Sequence, residues 1–163
     1  MSYCTIEDLR NEGVTEEEYD RVMSVNTKIP FFLTQMVAPI MKENGGGSII
    51  NMASIASTGA GRGPIIYTIS KHAILGVTRQ LAFYYGHDNI RVNCIEPGYI
   101  ATRMVSAAMQ DDSIPFVPLV KASPAERPGQ PSEIARVAVF LASDDASFLH
   151  GTEICADGGF TLI

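Results

Sequence analysis

Apolar positions along the chain change their spacing several times, and each change marks an element. Tyr19, Val22, Met23, Ile29, Phe32, Leu33, Met36, Val37, Ile40 and Met41 recur at three- and four-residue steps, the period of an amphipathic helix. Thr15 supplies a capping oxygen at its start, and Glu16, Glu17 and Glu18 put acids in the first turn. Pro30 falls inside this run, so a break or kink is expected near Lys28. Gly45, Gly46 and Gly47 read as the C-terminal turn of that helix, because a phosphate-binding glycine loop would follow a strand and these precede one. The run Ser48-Ile49-Ile50-Asn51-Met52 then predicts a short buried strand. Helical spacing returns from about Ile65 to Tyr85, with Ile66, Ile69, Ala73, Ile74, Val77, Leu81 and Tyr84 expected to face inward.

A second strand is expected from Ile90 to Ile95, closed by Glu96-Pro97-Gly98. Residues 99–130 read as irregular, with a short helix over Ala101 to Met109. A helix follows from Ser132 to Ala142, then a last strand from Glu153 to Cys155, turned by Asp157-Gly158-Gly159. Strands alternating with helices predict an α/β fold, a partial Rossmann-like, doubly wound parallel sheet with covering helices. By length, residues 1–163 form a single domain.

Charge narrows the partners. The net charge is −6, with acids gathered in the first twenty residues and no basic cluster, which argues against nucleic acid. No run of eighteen apolar residues appears, so no membrane span is expected. Cys4, Cys94 and Cys155 are far apart and form no C-x-x-C, which reads as free thiols in a reducing, cytoplasmic compartment. His87 and His150 lie in turns with no cysteine or carboxylate at ligand spacing, so no metal site is expected. His72, next to Lys71, points about 100° away around the helix in a surface or packing role.

The chemistry gathers at Tyr67 and Lys71. Four residues apart on a helix, they project from one face. A neighbouring ammonium favours the phenolate of a tyrosine, which otherwise titrates near 10. Y-x-x-x-K alone is a common pattern. Its weight here comes from Ser54, just beyond the first strand, and Pro97-Gly98, just beyond the second. In parallel sheets ligands sit at the carboxyl ends of strands, and these features converge on one such rim.

Several separated motifs then match one family in order: Val25-Asn26, I-I-N-M-A-S ending in Ser54, Y-T-I-S-K from Tyr67 to Lys71, R-V-N-C-I-E-P-G from Arg91 to Gly98, Thr102, R-P-G-Q-P-S-E-I-A from Arg127 to Ala135, F-L-A-S-D from Phe140 to Asp144, and A-D-G-G from Ala156 to Gly159. The chain resembles the short-chain dehydrogenases/reductases over nearly its whole length. The resemblance implies an NAD(P)-dependent oxidoreductase acting on a small secondary alcohol or ketone. It implies that Tyr67 is the acid/base, that Ser54 donates a hydrogen bond to the substrate oxygen, and that Lys71 tunes Tyr67 and holds the nicotinamide ribose. Asn26 would hold a water in the proton relay. Pro97, Gly98, Ile100 and Thr102, with Tyr67 and Lys71, would receive the nicotinamide end. Residues 103–125 would form a substrate lid, with Met104, Val105, Met109, Ile114, Phe116 and Val117 as its apolar surface. The helices carrying Asn26 and Tyr67 would form the interface of a homo-oligomer.

The family's first third supplies a T-G-x-x-x-G-x-G turn and an N-N-A-G strand, and neither occurs in this sequence. The chain begins about where that strand would end. The strand at Ser48 is therefore expected to be an exposed edge. Dinucleotide binding by this chain alone is expected to be weak, and its activity alone doubtful, with no means of choosing NAD over NADP. The alternative is a non-catalytic interaction module that keeps the helical surface.

Overall fold

A computed structural model describes residues 13–103, 105 and 116–163; the helix expected to reach Met109, together with Met104, Met109 and Ile114, lies wholly or partly outside them. The elements run α1 (Glu16–Met23), α2 (Ile29–Glu43), β1 (Gly47–Met52), α3 (Ile65–Tyr85), β2 (Ile90–Pro97), α4 (Phe116–Ala122), α5 (Pro131–Ala142) and β3 (Glu153–Ala156). The three strands form one parallel sheet in the order β1-β2-β3, with Met52 opposite Ile95 and Pro97 opposite Ala156. This is the partial Rossmann-like α/β architecture that the alternation of strands and helices predicts.

Alternation along β2 sets the two layers. Ile90, Val92 and Cys94 face α2 and α3, packing on Ala38, Leu81 and Ala82 and on Ile74 and Leu75. Ile95 turns to the other side, against Leu141 of α5 and Ala146. The same side carries two polar residues of β2. Arg91 donates to the carbonyls of Leu141 (2.7 Å) and Ser143 (3.1 Å), capping the end of α5 with a cation. Asn93 bonds Leu149 and Thr152 of the loop that leads to β3.

Thr15 caps α1 in a reciprocal pair with Glu18, as its sequence suggests. At Pro30 the expectation needs correction. The helix does not break; it widens into a π-helical turn over Ser24–Lys28 and runs on into α2. Proline has no N–H to offer the carbonyl four residues back, and a wider turn removes the need for that bond. The three glycines do end α2. Gly46 takes φ +132°, and a Cβ there would lie 2.3 Å from the Asn89 carbonyl oxygen, so no other residue fits.

Ile69 and Tyr84 do not face inward; they are 44% and 67% exposed. Ile65, Ile69 and Phe83 lie on an outer face of α3, and Ile29, Phe32, Leu33, Met36 and Ile40 make a matching outer stripe on α2. A helix that is apolar on most of its circumference gives periodicity no means of ranking its faces. β1 is the outer strand of the sheet, as expected, and its residues other than Asn51 are at least partly accessible. No helix among the described residues is long and apolar enough to cross a membrane.

Candidate active site

The carboxyl end of β1 and the first turns of α3 meet around one ammonium. Lys71, buried on α3, donates from Nζ to the carbonyl of Met52 at 2.8 Å and lies 5.5 Å from the centre of the Tyr67 ring. Burial pulls its pKa down from 10.5 to about 8, so it is still largely protonated at neutral pH but near its titration point. Two of its three N–H donors remain for other acceptors.

Ser54 lies two residues beyond Met52 and is buried. It caps the short 3-10 turn Ile55–Ser57: its hydroxyl oxygen accepts from the Ala56 N–H (3.1 Å), and its own N–H donates to Ser57 Oγ (3.0 Å). That fixes the Ser54 side chain while leaving its hydrogen to donate. The turn packs on α3. Tyr67 is half-buried, with Gly63 directly against its ring: a Cβ on Gly63 would lie 3.0 Å from Cδ1. Bare backbone there gives the ring its place.

Asn26 sits in the π-helical turn, buried, and its Nδ2 donates to Ser70 Oγ at 3.0 Å. Ser70 in turn donates to the Tyr67 carbonyl at 2.7 Å. Asn26 is thereby tied to the helical turn between Tyr67 and Lys71, while Pro30 leaves its own carbonyl without the usual helical donor. Asn51, to which the sequence assigns no chemistry, ties β1 to α3 through Thr78 (2.9 Å).

Beyond β2 the chain runs through Pro97 and Gly98 into a segment held on two sides. Gly98 donates to Ala156 (3.1 Å), and Ile100 forms a parallel bridge with Gly129 through N–H donations at 2.8 Å in each direction around it. Gly98 is necessary at this point, since a Cβ would come within 2.7 Å of Asp157 Cα. Thr102 is exposed at the end of the segment. Asp157 closes the following turn, accepting from Gly159 and Thr161. Residues 97–101 are partly accessible.

Sequence reasoning passed over two residues here. Glu96 is buried beside Pro97, with Oε1 lacking a hydrogen-bond partner; burial and then the nearby Glu153 charge raise its pKa. Arg62, in the β1–α3 loop, folds back over Gly59 toward Ile55. Its signal was a lone arginine between Ser54 and Tyr67. Among the described residues, no group of His, Cys, Asp and Glu is disposed to hold a metal ion.

With this rim in place, the wider likeness becomes specific. Residues 6–161 match the protein family described as enoyl-(acyl carrier protein) reductase, and the chain belongs to the short-chain dehydrogenases/reductases. It is 38% identical over 148 residues to dehydrogenase/reductase SDR family member 4 of Oryctolagus cuniculus, covering 90% of this chain and 56% of the relative. Levodione reductase of Leifsonia aquatica is 37% identical over 153 residues, 91% of this chain and 57% of that one. A crystal structure of levodione reductase superimposes with TM-score 0.85 at 36% identity, over 93% of this chain and 60% of its own. The structure of 4-hydroxyisoleucine dehydrogenase complexed with NADH superimposes with TM-score 0.84 at 32% identity, over 91% and 61%. The chain thus spans little more than half the length of the curated relatives it matches.

Proposed function

We propose that this chain is the substrate- and proton-handling part of an NAD(P)-dependent oxidoreductase that interconverts a secondary alcohol and a ketone. The observation that carries this reading is the single Lys71 ammonium set between the Met52 carbonyl and the Tyr67 ring, with Ser54 next beyond that strand. Bound nicotinamide supplies the hydride acceptor or donor. Tyr67 takes the hydroxyl proton in oxidation and returns it in reduction. Lys71 stabilises the phenolate by its charge, which a half-buried setting strengthens. Ser54 donates to the substrate oxygen as negative charge develops on it. Asn26, through its carbonyl, holds a water that links Lys71 to solvent. The backbone of Pro97, Gly98 and Ile100, with Thr102, receives the nicotinamide end. The names of the relatives, a levodione reductase and a dehydrogenase complexed with NADH, support the same chemistry.

Because this chain lacks a T-G-x-x-x-G-x-G turn, dinucleotide affinity rests on the nicotinamide half alone and is weak. The test is NAD(P)H-coupled turnover of secondary alcohols and ketones by this chain and by forms extended at its start. Tyr67→Phe should abolish turnover, by a factor of about 100 or more for loss of an acid/base. Full activity in Tyr67→Phe would end this reading.

The outer stripes of α2 and α3 favour a second role that does not exclude the first. Ile29, Phe32, Leu33, Met36 and Ile40, with Ile65, Ile69 and Phe83, form an apolar surface suited to self-association across paired helices. On this reading the chain is a homo-oligomer and, if catalysis is absent, an interaction module. Light scattering should show a mass above the monomer that Met36→Asp lowers. A monomer at high concentration would dismiss it.

A further inference from the structure

The β1–α3 connection carries a cation that the proton chemistry leaves unused. Arg62 Nη1 reaches back to the Ile55 carbonyl at 3.4 Å, a long and weak bond, and the guanidinium lies over Gly59, where a Cβ would come within 3.0 Å of Cζ. Ile55 directly follows Ser54, and Gly63, next to Arg62, lies against the Tyr67 ring. The loop that carries the guanidinium therefore runs from the turn that follows Ser54 to the Tyr67 ring. The Arg62 charge also reaches the exit of β2. Burial raises the pKa of both Glu96 and Tyr99, and Arg62 is among the charges that oppose that rise.

The ion pairs of the described residues include Lys42–Asp88, Arg79–Glu153 and Arg127–Glu133, and none of these involves Arg62 or Glu96, although the Arg62 charge is felt at Glu96. The neighbouring arginine of β2, Arg91, spends its donors on the α5 carbonyls. Arg62 is half-buried and keeps most of its five N–H donors uncommitted. Guanidinium is a planar fork that matches a carboxylate with two parallel bonds. A half-buried cation with that geometry, held by one long bond to a carbonyl and in none of these ion pairs, is poised for an external anion.

We infer that Arg62 is a specificity-determining residue that binds a carboxylate on the substrate, so that the site takes oxo acids and hydroxy acids in preference to neutral ketones and alcohols. The inference rests on the oxidoreductase reading and names its substrate class. Glu96 does not fill the same role in reverse, because it lies below the rim, only 4% exposed.

The test compares 4-oxopentanoate with its methyl ester, which share the ketone and differ in charge, using wild type, Arg62→Met and Arg62→Lys. Wild type should favour the acid by about tenfold in kcat/KM, chiefly through KM, as expected for one charge-assisted pair at a half-exposed site. Arg62→Met should lose that preference while keeping its rate with the ester, and Arg62→Lys should retain part of it. A wild type indifferent to the charge overturns the inference. So does a preference that survives in Arg62→Met, or an effect confined to the KM of NAD(P)H. Turnover is read in a form extended at its start, because dinucleotide affinity of this chain alone is weak; if neither ketone is turned over there, binding is read directly. Titration of the chain with 4-oxopentanoate, followed by NMR, then decides: saturable shifts lost in Arg62→Met sustain the carboxylate site, and equal or absent shifts refute it.

Discussion

Lys71 Nζ donates to the main-chain carbonyl of Met52 at 2.8 Å, so the cation of α3 is fastened to the last residue of β1. The bond does two jobs. It fixes the ammonium at the Tyr67 ring, and it partly compensates a charge that burial disfavours.

That burial should be visible in the pH dependence of stability. Unfolded, the side chain keeps its proton to about 10.5; folded, it gives it up near 8. Between those values the unfolded chain binds more protons, so Lys71 makes stability rise with pH through that window. Below 8 both forms are protonated and the penalty is felt in full. Relative to Lys71→Met, wild type should gain up to about 3 kcal/mol from pH 7 to 10.5. Urea midpoints across this range check it, and parallel profiles would count against the burial argument.

Ser70 joins Asn26 to the turn that holds Tyr67. Ser70→Ala strands a buried Asn26 amide and should cost about 1–3 kcal/mol. Asn26→Ala in the same chain should add less than it does alone, because the donor is then gone. A double-mutant cycle by urea denaturation measures the coupling; strict additivity would mean that the bond contributes nothing.

Arg91 bonds the carbonyls of Leu141 and Ser143 where α5 ends. Arg91→Met keeps the length of the buried stem but leaves the Ser143 carbonyl without its cation, and should cost about 1.5–3 kcal/mol. Hydrogen exchange should quicken at the end of α5 more than in α3. Uniform change across both helices would point to another cause.

Glu133 sits at the start of α5, paired with Arg127 (2.8 Å) and accepting from the Gln130 N–H (2.7 Å). The Arg127 guanidinium, then the backbone bond, hold its carboxyl down to about 2. Its stabilisation is complete above the ordinary value of 4.5 and is lost as pH falls through 2. Glu133→Gln should therefore lower Tm at pH 7, with the gap closing below pH 3. A gap that persists at pH 2 would show that charge is not the cause.

The boundaries of α3 were legible because Pro64 precedes it and Gly86 follows it, and the strands because their apolar runs are bounded by glycine or proline. The pair Tyr67 and Lys71 stood out only because Ser54 and Pro97-Gly98 fall at the ends of the two strands beside it. What Lys71 bonds was not legible, since a backbone carbonyl nineteen residues away leaves no mark in the sequence. The π-helical turn escaped for a similar reason: Pro30 announces a disturbance, but widening and breaking look alike in one dimension. α4 was read as irregular because Pro118 lies within it, although proline is tolerated in a first turn. Arg62 depends on how a glycine-rich loop folds back, which composition does not specify.

The outer position of β1 has a practical corollary. Met52, Ser54 and Lys71 make their contacts within the chain, toward β2 and α3, so the main-chain groups on the far flank of β1 are not needed to position them. A polypeptide laid along that flank would lengthen the sheet and leave these contacts where they stand. Such a molecule lends itself to strand addition, with a separately made extended segment pairing along β1 while the contacts of Lys71 stay in place.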